Sequence, residues 1–593
     1  MNSKYKLCAF VFGGLLAVGS LGTVFADCHS SSSSSDALST SAQSDADMEE
    51  SDSADSKTGN EPVSDAESWA DSVMAKLTFR QRIAQLFIPR WDFSNGAISA
   101  ATMRKNVVED GVGGFLLGKG RIAEYAGAIN QAQRQARVPL LVTLDGEWGL
   151  NMRVPDSPRF PKNIALGAIQ DSSLLEEYGR EVARQCRLLG IHVDFAPVLD
   201  VNSNPDNPVI GYRSFGEDPE RVAKAGAAFC KGMESGGVMS VGKHFPGHGD
   251  TSVDSHKALP SVDHSTATLE SVDFLPFVEA AKAGMSGVMV GHLRVPALDK
   301  SGVPASLSKI ITTDVLKNKL GFDGLVFTDA LAMKGAATTG ENNCVSAFNA
   351  GADVLLNSSS PSKDIQAMVD AVKSGRISER EIDQRCRKML VYKYKLGLAS
   401  QSDVKKEGLE SKINSAQTRG LLDRLAKASV TVVRNNDGLL PLSDLSERSI
   451  AVVCLGASAT NEFAAVCKKY APVNVFSVRD AAAVSKAVAE AKKADVVIVG
   501  VFNSDAPTRD AYEQLQKSCR ELVSVFFINP FKMQRFTGLS SAPTLVVAYD
   551  DTKELFSASA QALFGGIDVN GRFPVNIKGV ASLGEGVDLK KKD

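Results

Sequence analysis

The chain has 593 residues, 44% of them hydrophobic, and a formal net charge of −3. Its length exceeds one core and fits two or more domains of roughly 150 residues each, with apolar content enough to fill them. The balanced charge excludes the basic face of a nucleic-acid binder, so no nucleic-acid partner is expected.

Residues 1–26 read as an export signal. Lys4 and Lys6 precede an apolar run from Leu7 to Phe25, which ends in a small-residue processing site at Val24-Phe25-Ala26. The run approaches bilayer length, but its glycines and processing site favour a signal. Cys28 and a serine run follow. They are compatible with membrane attachment through a lipidated Cys28, and equally with simple cleavage, because Asp27 fits the usual bacterial lipobox poorly. Either route predicts an exported protein, periplasmic or lipid-anchored to the bacterial envelope. Residues 27–64 are mostly Ser, Asp, Ala and Glu, with almost no large apolar residue. They cannot bury enough apolar surface to fold and are expected to form a disordered tether.

From 65 to 399, short apolar runs alternate with amphipathic segments. The runs are Gln85–Pro89, Gly114–Gly118, Leu140–Asp145, Val193–Leu199, Met239–His244, Gly287–His292, Leu325–Asp329 and Asp353–Asn357. Helical spacing marks Ser173–Gly190, Pro219–Glu234, Thr266–Ala283 and Lys363–Lys373. Eight strands alternating with helices predict an α/β chain with a (β/α)8 TIM-type barrel. Asp145, Asp200, Lys243, His244, His292, Asp329 and Asn357 fall at the C-terminal ends of these strands, the face on which such barrels build active sites.

Residues 400–418 are polar and predict a linker. A second alternation over 419–580 predicts a smaller α/β sandwich domain with a mostly parallel sheet. Its strands are Val430–Val433, Ile450–Leu455, Val496–Val501, Val525–Ile528 and Leu545–Ala548, with a helix at Ala481–Lys493. Residues 581–593 form a charged tail. Of the nine cysteines, Cys8 leaves with the signal. The rest lack any CxxC pairing and predict buried free thiols rather than a disulfide framework.

The densest chemistry lies in KHFPGHGDTSVDSH, Lys243–His256, which holds three of the seven histidines. Glycines and Pro246 make most of it a loop, the usual carrier of function on a rigid scaffold. Asp254 beside His256 can orient an imidazole for proton transfer near neutral pH, or form a plain surface pair. Asp329 can attack an electrophilic carbon, or cap the helix that follows. Arg213 can grip a hydroxyl-rich or anionic ligand, or pair with Glu217 or Asp218. Asp145 can bond ligand hydroxyls, or the backbone of its own loop. His244, His248, Asp254 and His256 have metal-ligand chemistry, but the intervening glycines fix no geometry. Neither a metal nor an organic cofactor is expected.

Taken together, these residues resemble glycoside hydrolase family three, and within it the β-N-acetylglucosaminidase (NagZ-type) branch. Lys243–His256 is similar to that branch's KHFPGHGxTxxDSH element. LDGEWGLNMR, Leu144–Arg153, resembles IDQEGGxVxR, with Gly146 and Trp148 in place of Gln and Gly. Phe195–Pro219 resembles FAPVxDVxxNPxNPxIGxRSFGxDP, and family-like stretches continue at Ala428–Leu442 and Gly565–Ile577. The resemblance implies that Asp329 is the nucleophile and that His256, oriented by Asp254, is the acid and then the base. It implies that Asp145, Arg213, Lys243 and His244 hold a terminal sugar.

The function so implied is exo-acting, retaining hydrolysis of terminal β-linked N-acetylglucosamine, from peptidoglycan fragments (muropeptides) or chito-oligosaccharides. Three alternatives remain at this point: a β-glucosidase of the same family, against which the Asp254-Ser255-His256 element argues, a phosphorylase, and a non-catalytic glycan-binding lipoprotein on an inactive barrel.

Overall fold

The computed structural model describes residues 64–254, 258–336, 340–400 and 402–592. The expected signal, Cys28 and all of the expected tether but Ser64 lie outside these residues, and so does His256. Ser64 itself caps the first helix, Asp65–Met74, in a capping box with Glu67.

Eight short parallel strands follow. They are β1 (Phe87–Ile88, resumed after Pro89 as Arg90–Trp91), β2 (Gly114–Leu117), β3 (Leu141–Leu144), β4 (Val193–Asp194), β5 (Met239–Phe245), β6 (Gly287–Val290), β7 (Leu325–Thr328) and β8 (Leu355–Leu356). Pro89 has no N–H to give, which interrupts β1, but its carbonyl still accepts from Leu116 at 2.9 Å. The sheet closes at β8. Leu355 and Asn357 donate to the Leu86 and Ile88 carbonyls, both at 2.8 Å, and Phe327 of β7 bridges Val354 in parallel. Apolar side chains fill the interior; Phe195 and Phe327 meet there edge-on with ring centroids 5.4 Å apart. This is the predicted TIM-type architecture.

The surrounding helices start where short polar side chains accept the first free N–H groups. Asp171 caps Ser172–Leu188, and Asp218 caps Pro219–Ser235, with Pro219 in the first turn. Thr266–Ala283 is not the single helix its spacing suggests. It breaks at Phe274 and restarts as Leu275–Lys282, where Pro276 cannot donate back along the helix.

The segment between the domains is not an extended passage. Val404, Leu409 and Ile413 are buried in the core that the barrel shares with its helices. Asn130 also exchanges two hydrogen bonds with the Val404 backbone, at 2.9 and 2.7 Å.

The second domain has a six-stranded sheet: β9 (Thr431–Asn435), β10 (Ile450–Leu455), β11 (Val473–Val478), β12 (Val496–Val501), β13 (Glu521–Phe526) and β14 (Thr544–Val547). The order is β9-β14-β13-β12-β10-β11, all parallel except β9 against β14. In the edge strand β11 only Val478 is fully buried, and Asn474 and Ser477 interrupt its apolar residues. The charged tail folds back: Val587 donates to the Val432 carbonyl at 2.7 Å, and Leu589 is buried. Cys186, Cys230, Cys344, Cys386, Cys454 and Cys467 are buried free thiols, and Cys519 is a half-buried one. Among the described residues no helix is long and apolar enough to cross a membrane.

Candidate active site

The C-terminal ends of the barrel strands bring Asp145, Lys243, His244 and Asp329 together, as the sequence predicts, and the loop after β4 adds Arg213. Lys243, on β5, reaches the carboxylates of both Asp145 and Glu147, the latter at 2.8 Å. Arg213 clamps Glu147 with two parallel bonds, Nε at 2.8 Å and Nη2 at 2.7 Å. Its Nη2 also lies 3.4 Å from Nε2 of His244. Neither Glu217 nor Asp218 is its partner. Asp218 caps the next helix, and Glu217 turns to the second domain.

The order of burial separates holders from presenters. Side-chain exposure is 0% for Glu147 and 3% for Lys243, but 17% for Arg213 and 25% for Asp145. Glu147 and Lys243 are the buried frame, and Asp145 and Arg213 are the partly exposed members that a ligand can reach. Burial alone would push these carboxyls up. The adjacent cations win: Arg213 and Lys243 hold Glu147, and Lys243 and Arg153 hold Asp145, below the usual carboxylate range. Glu147 and Arg153 stand in the LDGEWGLNMR motif, but nothing in their local sequence assigns them these partners.

Asp200 holds the histidines. Its carboxylate accepts from Nδ1 of His244 at 2.8 Å and from the backbone N–H groups of His244 at 3.1 Å and His248 at 2.8 Å. That contact fixes the His244 tautomer, with Nε2 left to accept from Arg213. Beneath them Asp194 is fully buried, and burial pushes its carboxyl up to about 7, against the Gly146 N–H that donates to it at 2.8 Å.

Asp329 follows β7 directly. Its N–H donates to the Val290 carbonyl at 2.9 Å, and its carboxylate accepts the Ala330 N–H at 2.7 Å, so it does meet the start of the next turn. Burial works against its charge, but His292, His244 and that N–H outweigh it and hold the carboxyl below its ordinary value. His292 is buried and its imidazole is held below the usual value by that burial. Its Nε2–H donates to the Ala330 carbonyl at 3.0 Å while Nδ1 accepts from the Ser306 hydroxyl at 2.7 Å. An ionised carboxylate thus faces the mouth of the barrel beside a hydrogen-bonding pocket.

The loop after β5 is pinned along its first half. Gly249 packs so closely on the backbone that a Cβ there would sit 1.7 Å from the Val201 carbonyl oxygen. Asn207 donates to the carbonyls of His248 and Gly249 at 2.8 and 2.9 Å. His264 spans Asp273, at 2.7 Å, and Asp250 of the loop, at 3.4 Å. Asp254 is half-buried, and its carbonyl accepts from the Ala258 N–H at 3.1 Å. His256, the partner expected for Asp254 from the sequence, lies outside the described residues.

Residues 78–391 match the glycosyl hydrolase family 3 N-terminal domain. A β-hexosaminidase of Chromobacterium violaceum is 38% identical over 273 residues, 44% of this chain and 75% of its own length. β-Hexosaminidase A of Pseudoalteromonas piscicida is 35% identical over 403 residues, 63% of this chain. The match spans 64% of that relative's length. Among solved structures, a family 3 β-N-acetylglucosaminidase from a Paenibacillus strain superposes with a TM-score of 0.73 at 30% identity, covering 84% of this chain and 99% of its own. A β-glucoside phosphorylase shares the fold, with a TM-score of 0.76 at 21% identity over 87% of this chain and 98% of its own. With more than half its length matched, and the strand-end carboxylate and charged pocket at its barrel mouth, the chain belongs to glycosyl hydrolase family 3.

Proposed function

We propose that the protein is an exo-acting, retaining β-N-acetylglucosaminidase that releases terminal N-acetylglucosamine from peptidoglycan fragments or chito-oligosaccharides. The observation that carries this reading is the ionised Asp329 at the end of β7, set beside Asp145, Lys243, Arg213 and His244. A carboxylate there can attack the anomeric carbon and stabilise the oxocarbenium-like transition state, while the fixed donors satisfy the hydroxyls of one ring. The similarity to β-hexosaminidases supports the same substrate class.

In this reading the reaction has two steps. Asp329 forms a bond to the anomeric carbon as the glycosidic C–O bond breaks, and His256 gives its proton to the departing oxygen. Water then attacks the glycosyl-enzyme and loses its proton to the same imidazole, and the Asp329 ester is released. Asp254 orients the imidazole. An imidazole avoids a second full negative charge near Asp329. We read the amino terminus as an export signal that delivers the enzyme to the periplasm or, through Cys28, to the envelope membrane.

The test compares turnover of an aryl β-N-acetylglucosaminide with that of the matching β-glucoside, with and without phosphate. Preference for the first and indifference to phosphate are expected. A rate that requires phosphate makes the protein a phosphorylase, and preference for the glucoside makes it a β-glucosidase. With a chito-oligosaccharide, monosaccharide should appear from one end; an early ladder of mid-length fragments would overturn exo action.

A further inference from the structure

Every residue of the proposed sugar pocket comes from the barrel, yet the loop that presents Arg213 is gripped from outside by the second domain. At the loop's inner edge Arg213 clamps Glu147. At its outer edge, Gly216 lies against Pro574, with φ +150° and a position where a Cβ would come 2.5 Å from the Pro574 carbonyl oxygen. The Glu217 N–H donates to that same carbonyl at 3.2 Å. The Glu217 carboxylate accepts from the Asn576 N–H at 2.7 Å and from the Asn576 side-chain amide.

The two edges are joined by a short, fully bonded path. The Ser214 hydroxyl lies 2.6 Å from the Asp200 carbonyl and 2.8 Å from that of Gly216, and the Asn202 N–H donates to Gly216 at 2.9 Å. Asn163 donates to the Arg213 carbonyl at 2.7 Å. The neighbours of Asn163, Ile164 and Ala165, are buried in the core of the second domain. A guanidinium aimed by a loop of this kind moves with the loop's anchor.

We infer that Asn576 and the Pro574 carbonyl of the second domain are positioning elements of the sugar pocket, fixing through Glu217 the loop that aims Arg213. The inference rests on the proposed sugar-binding role of Arg213. Asn576 touches no reacting atom; it acts through Glu217 and the three residues between Glu217 and Arg213.

The Glu217–Asn576 contact can be reversed in polarity. In Glu217→Gln/Asn576→Asp the new amide keeps an oxygen for the 576 N–H and offers its NH2 to the new carboxylate. Glu217→Gln alone turns an NH2 toward the Asn576 NH2, whose amide oxygen is held by the Leu583 N–H at 2.9 Å, and Asn576→Asp alone sets two carboxylates together. KM for an aryl β-N-acetylglucosaminide, Kd for N-acetylglucosamine by calorimetry, kcat and melting temperature are measured for the wild type, both singles and the double. Each single should raise KM and Kd about 5- to 20-fold with kcat within about twofold, and the double should recover most of the loss. Asn576→Ser, which removes the amide without adding charge, serves as a further single if one of these fails to fold.

Folded singles whose KM and Kd stay within about twofold of wild type, or a double no better than the worse single, would overturn the inference, and so would a lowered melting temperature with affinity unchanged. A wild type that binds the sugar without turning it over overturns the proposed activity and leaves Kd to read the contact. A wild type that does not bind the sugar overturns both.

Discussion

Glu147 receives the Nε and Nη2 edge of the Arg213 guanidinium across 66 residues of sequence, in a side-chain environment with no solvent exposure for the carboxylate. The pair is the frame of the pocket, because Lys243 bonds the same carboxylate. Burying two ions is costly unless each is fully bonded, and removing one partner strands the other. Glu147→Ala should therefore cost about 3–5 kcal/mol of stability and abolish measurable sugar affinity. Denaturant unfolding and calorimetry check the two effects separately; full affinity in a folded variant would show that Arg213 needs no such frame.

Asp329→Asn keeps the side chain's shape and its bond from the Ala330 N–H. The protein should fold with a melting temperature near wild type and lose activity by at least about a hundredfold. Retention of more than about a tenth of the wild-type rate would remove Asp329 from the nucleophile's role.

The proposed acid, His256, should matter in proportion to how much help the leaving group needs. His256→Ala should slow natural oligosaccharides far more than aryl glycosides with acidic phenols, since the latter depart with little protonation. Asp254→Ala should reduce the same step and shift the pH profile of kcat/KM. Equal losses on both substrate classes would assign His256 a structural part.

A titration outside the site concerns Lys393, fully buried with its ammonium 2.8 Å from the Gln85 side-chain oxygen. Burial pushes its pKa down to about 7. The unfolded chain holds that proton to about pH 10.4. Between about pH 7 and 10 the unfolded state therefore binds a proton that the folded state has released, so this group's contribution to stability rises with pH and is lowest below pH 7. Lys393→Met should stabilise the fold by about 1–3 kcal/mol at pH 6, and by less at pH 9. Melting curves at the two pH values decide it; an equal effect at both would mean that the lysine stays charged in the folded protein.

Much of the fold is legible along the chain. The eight barrel strands are dense apolar runs, each ending near a polar residue, and Asp145, Lys243, His244 and Asp329 stand at those ends in the structure too. Local motifs carry them because strand, turn and loop are local events. The second domain was less legible at β11, an edge strand whose four apolar residues are interrupted by Asn474 and Ser477 and so form no unbroken run. The broken helix at Thr266–Ala283 shows the same limit, because its apolar spacing persists across a proline.

What the sequence alone determined is the inventory: a TIM-type barrel, a second α/β domain, and the residues at the barrel mouth. The pairings were decided only by tertiary structure. Arg213 has two acids within five residues of it in sequence, Glu217 and Asp218, yet bonds Glu147; Glu217 finds Asn576, 359 residues away. Closing the barrel brings strand ends together that are distant in the chain. Docking the second domain then fixes the direction a loop can face, and a charged side chain takes the partner that this burial leaves it.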